Sequence, residues 1–126
     1  MKSKLKSLTI TLPNHKAVSW NALYSSKHWT VRSKLAKRIH QEVFGAVFEV
    51  VLAPRLLHYP VDIILTAFYK DKKLRDSDNL ASKVYIDGLK GVLLEDDDYH
   101  YVRRVTTEVR VGQKEDKLEI SIEEKV

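Results

Sequence analysis

The sequence predicts an α+β fold in which two helices pack on one small mixed β-sheet, in the chain order β-α-β-α-β-β. A helical apolar period runs through residues 30–52 and again after Asn79. Apolar alternation or β-branched composition indicates strands in residues 5–12, 61–69, 102–111 and 118–123. The length of 126 residues and the composition, 44% hydrophobic and 31% charged, are ordinary for one folded domain. We therefore expect a single domain over residues 1–126.

The first strand is predicted because Leu8, Ile10 and Leu12 alternate with polar residues, as in a strand buried on one face. Pro13 and Asn14 end it. Residues 15–29 have no clear period and are predicted to form a loop.

That loop carries two tryptophans, Trp20 and Trp29, together with Asn21 and Lys27. Aromatic side chains interleaved with amide and basic groups are typical of surfaces that contact a nucleic-acid backbone or stack on an unpaired base. Tryptophans also anchor loops to a hydrophobic core. Both interpretations are open on the sequence alone, and the first one assigns Asn21 and Lys27 to DNA binding.

The first long helix is predicted from Thr30, as N-cap, to about Leu52, with Pro54 ending it. Its first half presents basic residues, Arg32 among them, away from the apolar stripe. Beyond Phe44 the helix is apolar almost all round, which predicts burial on several sides or a subunit contact. The stripe expected to face the core comprises Val31, Leu35, Ile39, Val43, Val47 and Val50.

The second half of the chain is predicted to run strand, helix, strand, strand. Residues 61–69 form a strand covered on both faces. The next helix begins near Asn79 and is capped by Asp76, Ser77 or Asp78. Residues 102–111 and 118–123 alternate as strands on either side of a polar turn, and we expect them to pair as an antiparallel hairpin. In the helix, Lys83, Asp87 and Lys90 share the face opposite the apolar stripe.

Positive charge is concentrated at the start of the chain. The net charge is +5, yet residues 1–41 contain nine lysines and arginines and no Asp or Glu. A basic half beside an acidic cluster suits phosphate binding next to a metal site. The alternative is a solvated basic face with no partner.

Several classes of protein are disfavoured by what the sequence lacks. There is no cysteine, so disulfides, thiolate zinc sites and cysteine nucleophiles are excluded. The histidines show no paired metal-ligand spacing, and no phosphate-cradling glycine loop or serine-hydrolase motif is present. No window approaches a membrane span and no signal-peptide pattern is seen, so we expect a cytoplasmic protein without membrane contact.

Two acidic clusters in the second half carry the chemical prediction. Asp76 and Asp78 lie two apart before the predicted helix, and residues 95–98 read Glu-Asp-Asp-Asp. Crowded carboxylates repel one another, and a hard divalent cation such as Mg²⁺ relieves that repulsion. Lys83 could neutralise charge that develops on a phosphate. The alternative is that these residues only form caps and turns. The basic residues placed to hold a nucleic-acid backbone beside the clusters are Lys72, Lys73 and Arg75.

A family resemblance covers the same region. Residues 75–102, RDSDNLASKVYIDGLKGVLLEDDDYHYV, resemble the signature of RusA-type Holliday junction resolvases, R-D-x-D-N-L-x-K-x-x-x-D-x-L followed further on by a paired aspartate. Residues 7–24, SLTITLPNHKAVSWNALY, are similar to the opening strand and the S-x-N-x-x-Y loop of that family. The resemblance implies a small homodimeric enzyme that depends on Mg²⁺, with Mn²⁺ as a substitute, and cuts four-way DNA junctions.

The resemblance also assigns roles to individual residues. It implies that Asp76 and Asp78 ligate metal and that Lys83 is catalytic. Asp98 matches the second member of the later aspartate pair, and Asp97 beside it leaves the register open. This chain departs from the pattern in having two residues, Ala81 and Ser82, before the lysine, where the family has one. One extra helical residue turns the next side chain by about 100°, so the direction of Lys83 depends on where that residue is absorbed.

The sequence therefore predicts a Mg²⁺-dependent endodeoxyribonuclease that resolves branched DNA as a homodimer, since two symmetric incisions call for two sites related by a two-fold axis. A rival prediction is a branched-DNA or RNA-binding module without catalysis. A second rival keeps the metal chemistry but cuts RNA or flaps.

Overall fold

The computed structural model describes residues 7–24, 28–51 and 60–124. It confirms the α+β class, with helices beside one four-stranded mixed sheet. Two elements in these ranges were not predicted: a short helix within the predicted loop and a 3₁₀ turn at Ser77–Asn79. The strands are β1 (Ser7–Pro13), β2 (Val61–Phe68), β3 (Val102–Arg110) and β4 (Lys117–Glu124), and the helices are α1 (Trp20–Tyr24), α2 (Trp29–Phe48) and α3 (Ser82–Asp87).

The strand order across the sheet is β1-β4-β2-β3. β4 runs antiparallel to both of its neighbours, and β3 runs parallel to β2 at the edge. The predicted hairpin between the last two strands is therefore wrong. β4 lies in the middle of the sheet, where its apolar residues Leu118, Ile120 and Ile122 are almost fully buried. Most of β3, at the edge of the sheet, is exposed or half-exposed.

One face of the sheet forms the core. β2 is buried on this face and mostly covered on the other, as predicted. α2 packs on the core through its middle and last turns, and α3 adds Val84, Tyr85 and Ile86. The apolar side chains that meet in the core include Ile10, Leu12, Ile39, Val43, Val47, Ile63, Leu65, Leu118, Ile120 and Ile122.

The ends of α2 differ from the prediction. His28, and not Thr30, is the N-cap, since its Nδ1 accepts a hydrogen bond from the Thr30 N–H at 3.2 Å. Two members of the predicted stripe, Val31 and Val50, are 48% and 44% exposed. Val31 lies in the first turn, which is not buried, and Val50 lies beyond the end of the helix. Phe44 is also exposed. The helix ends at Phe48, with Glu49 as its C-cap, and therefore stops before the predicted end near Leu52. The predicted stop at Pro54 lies outside the described residues.

The second predicted helix is shorter and begins later than expected. Residues 77–79 form the 3₁₀ turn, and α3 starts after Ala81, so none of the predicted acidic or serine caps holds its N-terminus. The chain is tied instead to the segment before α1, because the Ala81 N–H donates to the Val18 carbonyl at 2.9 Å. This cross-connection puts the first acidic cluster beside residues 16–19.

Hydrogen bonds to buried side chains also hold the residues that precede α1. The Tyr85 hydroxyl lies 2.6 Å from His15 Nε2 and accepts the Val18 N–H at 3.0 Å. On the other side, His15 Nδ1 lies 2.9 Å from the Glu42 carboxylate. His15 is itself buried, so α2, α3 and the residues that precede α1 are joined through one imidazole.

No helix among the described residues is long and apolar enough to cross a membrane.

Candidate functional site

The loop after β2 is organised by Asp71. Its carboxylate accepts two hydrogen bonds from the Arg75 guanidinium, at 2.6 and 3.1 Å, and a third from the Lys73 N–H at 3.0 Å. Lys16 Nζ lies 3.5 Å away. The Arg75 guanidinium, followed by the Lys73 hydrogen bond, holds the pKa of Asp71 well below its ordinary value. Asp71 is therefore ionised at neutral pH and links Lys73 and Arg75 within the loop.

Arg75 has a structural role beside the predicted one. Its guanidinium stacks over the Tyr69 ring at 3.6 Å from the centroid, and the Tyr69 hydroxyl donates to the Ala17 carbonyl at 3.0 Å. Ion pair and stacking together leave the Arg75 side chain mostly covered. Arg75 thus forms part of a rigid wall and is less accessible to DNA than the sequence suggested.

Tyr69 and Arg75 line a cavity among the described residues with a volume of about 920 Å³. Asp76 is the single carboxylate in its lining, and Asn79 of the same motif lines it too. Apolar side chains, Leu23, Leu35 and Leu80 among them, complete the lining. The positively charged side chains around the cavity are Lys16, Arg32, Lys34, Arg38, Lys73 and Arg75.

The cavity collects part of the predicted DNA-binding set. Asn21, Arg32, Lys73 and Arg75 line it. Lys72 lies elsewhere, with its side chain against Gly112. Lys27 lies outside the described residues.

The site residue missed by the sequence analysis is Lys16. It lies within residues 7–24, which resemble the opening of the family, and within the basic first part of the chain, but outside the S-x-N-x-x-Y positions themselves. It joins the cavity because residues 16–18 are bonded to Tyr85 and Ala81, which are far from it in the sequence.

The second acidic cluster meets the predicted catalytic lysine. Lys83 Nζ donates to Asp87 Oδ1 at 2.8 Å and to Asp97 Oδ2 at 2.9 Å. Lys90 Nζ lies 3.3 Å from Asp97 and 3.4 Å from Asp87, so two lysines and two aspartates form one network. The hydrogen bond from Lys83 lowers the pKa of Asp97 to about 2, and the hydrogen bonds that Lys83 donates to Asp87 and then to Asp97 raise the pKa of Lys83.

Asp97 and Asp98 have different surroundings. Asp98 Oδ1 accepts the His100 N–H at 2.8 Å, and the Asp98 carbonyl accepts from Tyr101 and Val102, so this residue forms the turn into β3. Its neighbour Asp97 is the one that reaches Lys83. In spite of the additional residue before it, Lys83 points at the second acidic cluster.

A smaller cavity of about 300 Å³ adjoins Lys83 and Asp87 and is lined by aromatic residues of the α1–α2 region. Trp20 stacks on Tyr24 with centroids 5.8 Å apart and packs against the core, as the anchoring interpretation predicts. Trp29 differs, since 64% of its surface is exposed at the rim of this cavity. Trp20 thus fits the anchoring interpretation and Trp29 does not, while contact of either residue with nucleic acid stays a prediction.

The carboxylates predicted to share a metal ion are not assembled as one ligand set. Asp76 and Asp78 are exposed at the 3₁₀ turn. Asp97 forms ion pairs with Lys83 and Lys90, and the Asp98 carboxylate accepts a hydrogen bond from the His100 N–H. Within residues 7–24, 28–51 and 60–124, no three His, Asp or Glu side chains form a group that could hold a metal ion.

A scan against protein-family models and a search of curated proteins found no match to this chain.

Proposed function

We propose that this protein is a RusA-like endodeoxyribonuclease that acts in the cytoplasm as a homodimer, cutting four-way DNA junctions by phosphodiester hydrolysis with Mg²⁺, or Mn²⁺ in its place. The observation that carries the proposal is that Asp76 and Asn79, from the motif that resembles this family, line a cavity surrounded by lysine and arginine. Such a wall attracts a polyanion to the carboxylates, which by themselves would repel it.

Apolar residues in the same cavity favour DNA over a small anion. Leu23, Leu35 and Leu80 give it surfaces on which a sugar or a base can pack, while the cations at its rim hold phosphates. DNA offers sugars and bases as well as phosphates, whereas a small anion offers only charge.

Lys83 is assigned an electrostatic role. Its pKa is raised by two carboxylates, so it is a cation at neutral pH and cannot serve as a general base. A fixed ammonium group beside the reacting phosphate would stabilise the negative charge that develops there. We expect Lys83→Met to lower the cleavage rate by about 10²–10³-fold, the usual effect of removing one such group.

The donor chemistry of the acidic residues suits Mg²⁺, which prefers carboxylate oxygens, and Asp76, Asp78, Asp97 and Asp98 are the residues proposed to supply them. Within the part of the chain that the structure describes, these side chains do not form a group of three that could hold the ion.

The test is a gel assay on a labelled synthetic four-way junction, with Mg²⁺ or with EDTA, beside a linear duplex of the same sequence. We expect paired nicks on the junction alone, lost with EDTA and in Asp78→Asn. Glu95→Gln is the matched control, because Glu95 is an exposed carboxylate of the second cluster with no assigned role. If RNA or flaps are cut in preference to junctions, the protein is a nuclease with a different substrate, and the junction part of the proposal is wrong.

A binding module without catalysis is the second candidate. It is favoured by the ion pairs of Asp87 and Asp97 with Lys83 and Lys90, which make the second acidic cluster part of the scaffold. A junction that is shifted in the gel but never cut with any divalent metal would support this candidate. It would also overturn the nuclease proposal.

A further inference from the structure

β3 leaves one edge of the sheet without a neighbouring strand among the described residues. In the order β1-β4-β2-β3, only β2 lies beside it. With 9 residues it is also the longest strand of the sheet. A long free edge presents a row of unpaired backbone N–H and C=O groups, which proteins cover, blunt or use for pairing with another chain.

The core-side face of β3 is incompletely covered. Val109 packs against the core, and Val105, four residues away on the same face of the strand, is 43% exposed. An apolar side chain on the core side of an edge strand gains from a further strand that extends this face.

The outer face of β3 carries opposite charges at a symmetric spacing. Arg104, Thr106 and Glu108 alternate on this face and are exposed. Arg104 makes no ion pair within the part of the chain that the structure describes. Glu108 has only long contacts, 3.3 Å to the Thr66 hydroxyl and 3.6 Å to Arg110.

We infer that β3 pairs with β3 of a second copy, antiparallel about a two-fold axis at Thr106. In this register Arg104 lies opposite Glu108 of the partner subunit, and symmetry repeats the pair on the other side. Val105 lies opposite Thr107 of the partner subunit and diagonal to the partner's Val105, so the uncovered apolar face is extended.

Neighbouring registers lack this complementarity. With the axis at Thr107, Arg104 faces Arg110 of the partner subunit, which brings like charges together. With the axis at Val105, it faces Thr106 of the partner subunit. The strand at the opposite edge of the sheet, β1, offers no such charge complementarity, because its outward residues Ser7, Thr9 and Thr11 are uncharged. The purpose of the pairing, to relate two active sites by a two-fold axis, rests on the proposed function. The evidence for the pairing itself does not.

A single cysteine tests the axis directly, because the protein contains none. Opposed residues in an antiparallel pair have Cα atoms about 4.5–5.5 Å apart, within the range of a disulfide. We expect Thr106→Cys to form a covalent dimer under mild oxidation on a non-reducing gel. Thr11→Cys, on the outer face of the opposite edge strand, is the matched control and should stay monomeric on the gel.

Charge exchange tests the register. Arg104→Glu and Glu108→Arg should each raise the dimer dissociation constant in sedimentation about tenfold, since each change creates two repulsive pairs. The double variant should return to within about threefold of the unmodified protein. Circular dichroism checks that each variant is folded.

Three results would overturn the inference. They are a monomeric unmodified protein, a dimer that Thr106→Cys fails to link, and a folded double variant that dimerises no better than the single ones. These experiments contain neither DNA nor metal, so they fail or succeed independently of the cleavage assay.

Discussion

At the scale of single residues, a chain of hydrogen bonds runs from the exposed Glu42 carboxylate through buried His15 to the buried Tyr85. His15 Nδ1 lies 2.9 Å from a Glu42 carboxylate oxygen, and His15 Nε2 lies 2.6 Å from the Tyr85 hydroxyl. The hydroxyl oxygen in turn accepts from the Val18 N–H. His15 Nε2 and the Val18 N–H therefore share one partner, the Tyr85 hydroxyl.

We therefore predict that Tyr85→Phe lowers the free energy of unfolding by about 1–3 kcal/mol, because it leaves His15 Nε2 and the Val18 N–H without their partner. Urea denaturation at neutral pH measures the change. Tyr99→Phe is the control, since Tyr99 is 79% exposed and should change stability by less than about 0.5 kcal/mol. Equal effects of the two substitutions would mean that the network contributes nothing.

The Lys83–Asp97 ion pair predicts a dependence of stability on pH. Asp97 has a pKa of about 2 in the folded protein against an ordinary 3.8. Its contribution is therefore complete above about pH 4 and is lost as the pH falls from 4 to 2. The stability difference between the unmodified protein and Lys83→Met should narrow over this interval in urea titrations. Lys34→Met, whose lysine lines the basic cavity far from this pair in sequence, should show no such narrowing.

At the scale of elements, the sequence identified every strand but not how the strands pair. Alternation is a local signal, and it was sufficient for β1, β3 and β4. The place of β4 between β1 and β2 depends on which apolar side chains meet across the whole sheet, and a short polar turn after β3 wrongly suggested a hairpin. The cap of α3 was mispredicted in a similar way, because the Ala81–Val18 hydrogen bond links residues far apart in the chain.

The contact between α2 and α3 leads to a prediction at this scale. A Cβ added at Gly88 would lie 3.0 Å from Val43 Cβ and 3.3 Å from the Tyr85 carbonyl oxygen. Gly88→Ala should therefore lower the free energy of unfolding by about 1–3 kcal/mol through overpacking. In the same assay Gly45→Ala, within α2 and with open space around its Cβ position, should raise it by about 0.5–1 kcal/mol. If Gly88→Ala also stabilises, the two helices are less closely packed than the structure indicates.

At the scale of the whole molecule, the candidate site was predictable only in part. The acidic motif and Lys83 stand together in the sequence, and the contact of Lys83 with Asp97 agrees with that grouping. The basic cavity could not be predicted, because its walls come from residues 16–23, α2 and the loop after β2. Only folding brings these three segments together.

The cavity separates two lysines of one helix, and this allows the DNA-binding surface to be tested. Lys34 lines it, whereas Lys37, one turn later, is exposed and does not. If phosphates enter the cavity, Lys34→Gln should weaken junction binding and reduce the slope of log K against log salt by about 0.9, the value for one lost phosphate contact. Fluorescence anisotropy at 50–200 mM salt measures both quantities. Lys37→Gln changes net charge equally, so a general attraction of the basic half of the chain to DNA would affect both variants alike. A slope that falls equally in both would refute binding through the cavity, and a slope that falls only with Lys34→Gln would assign the phosphate contact to this wall.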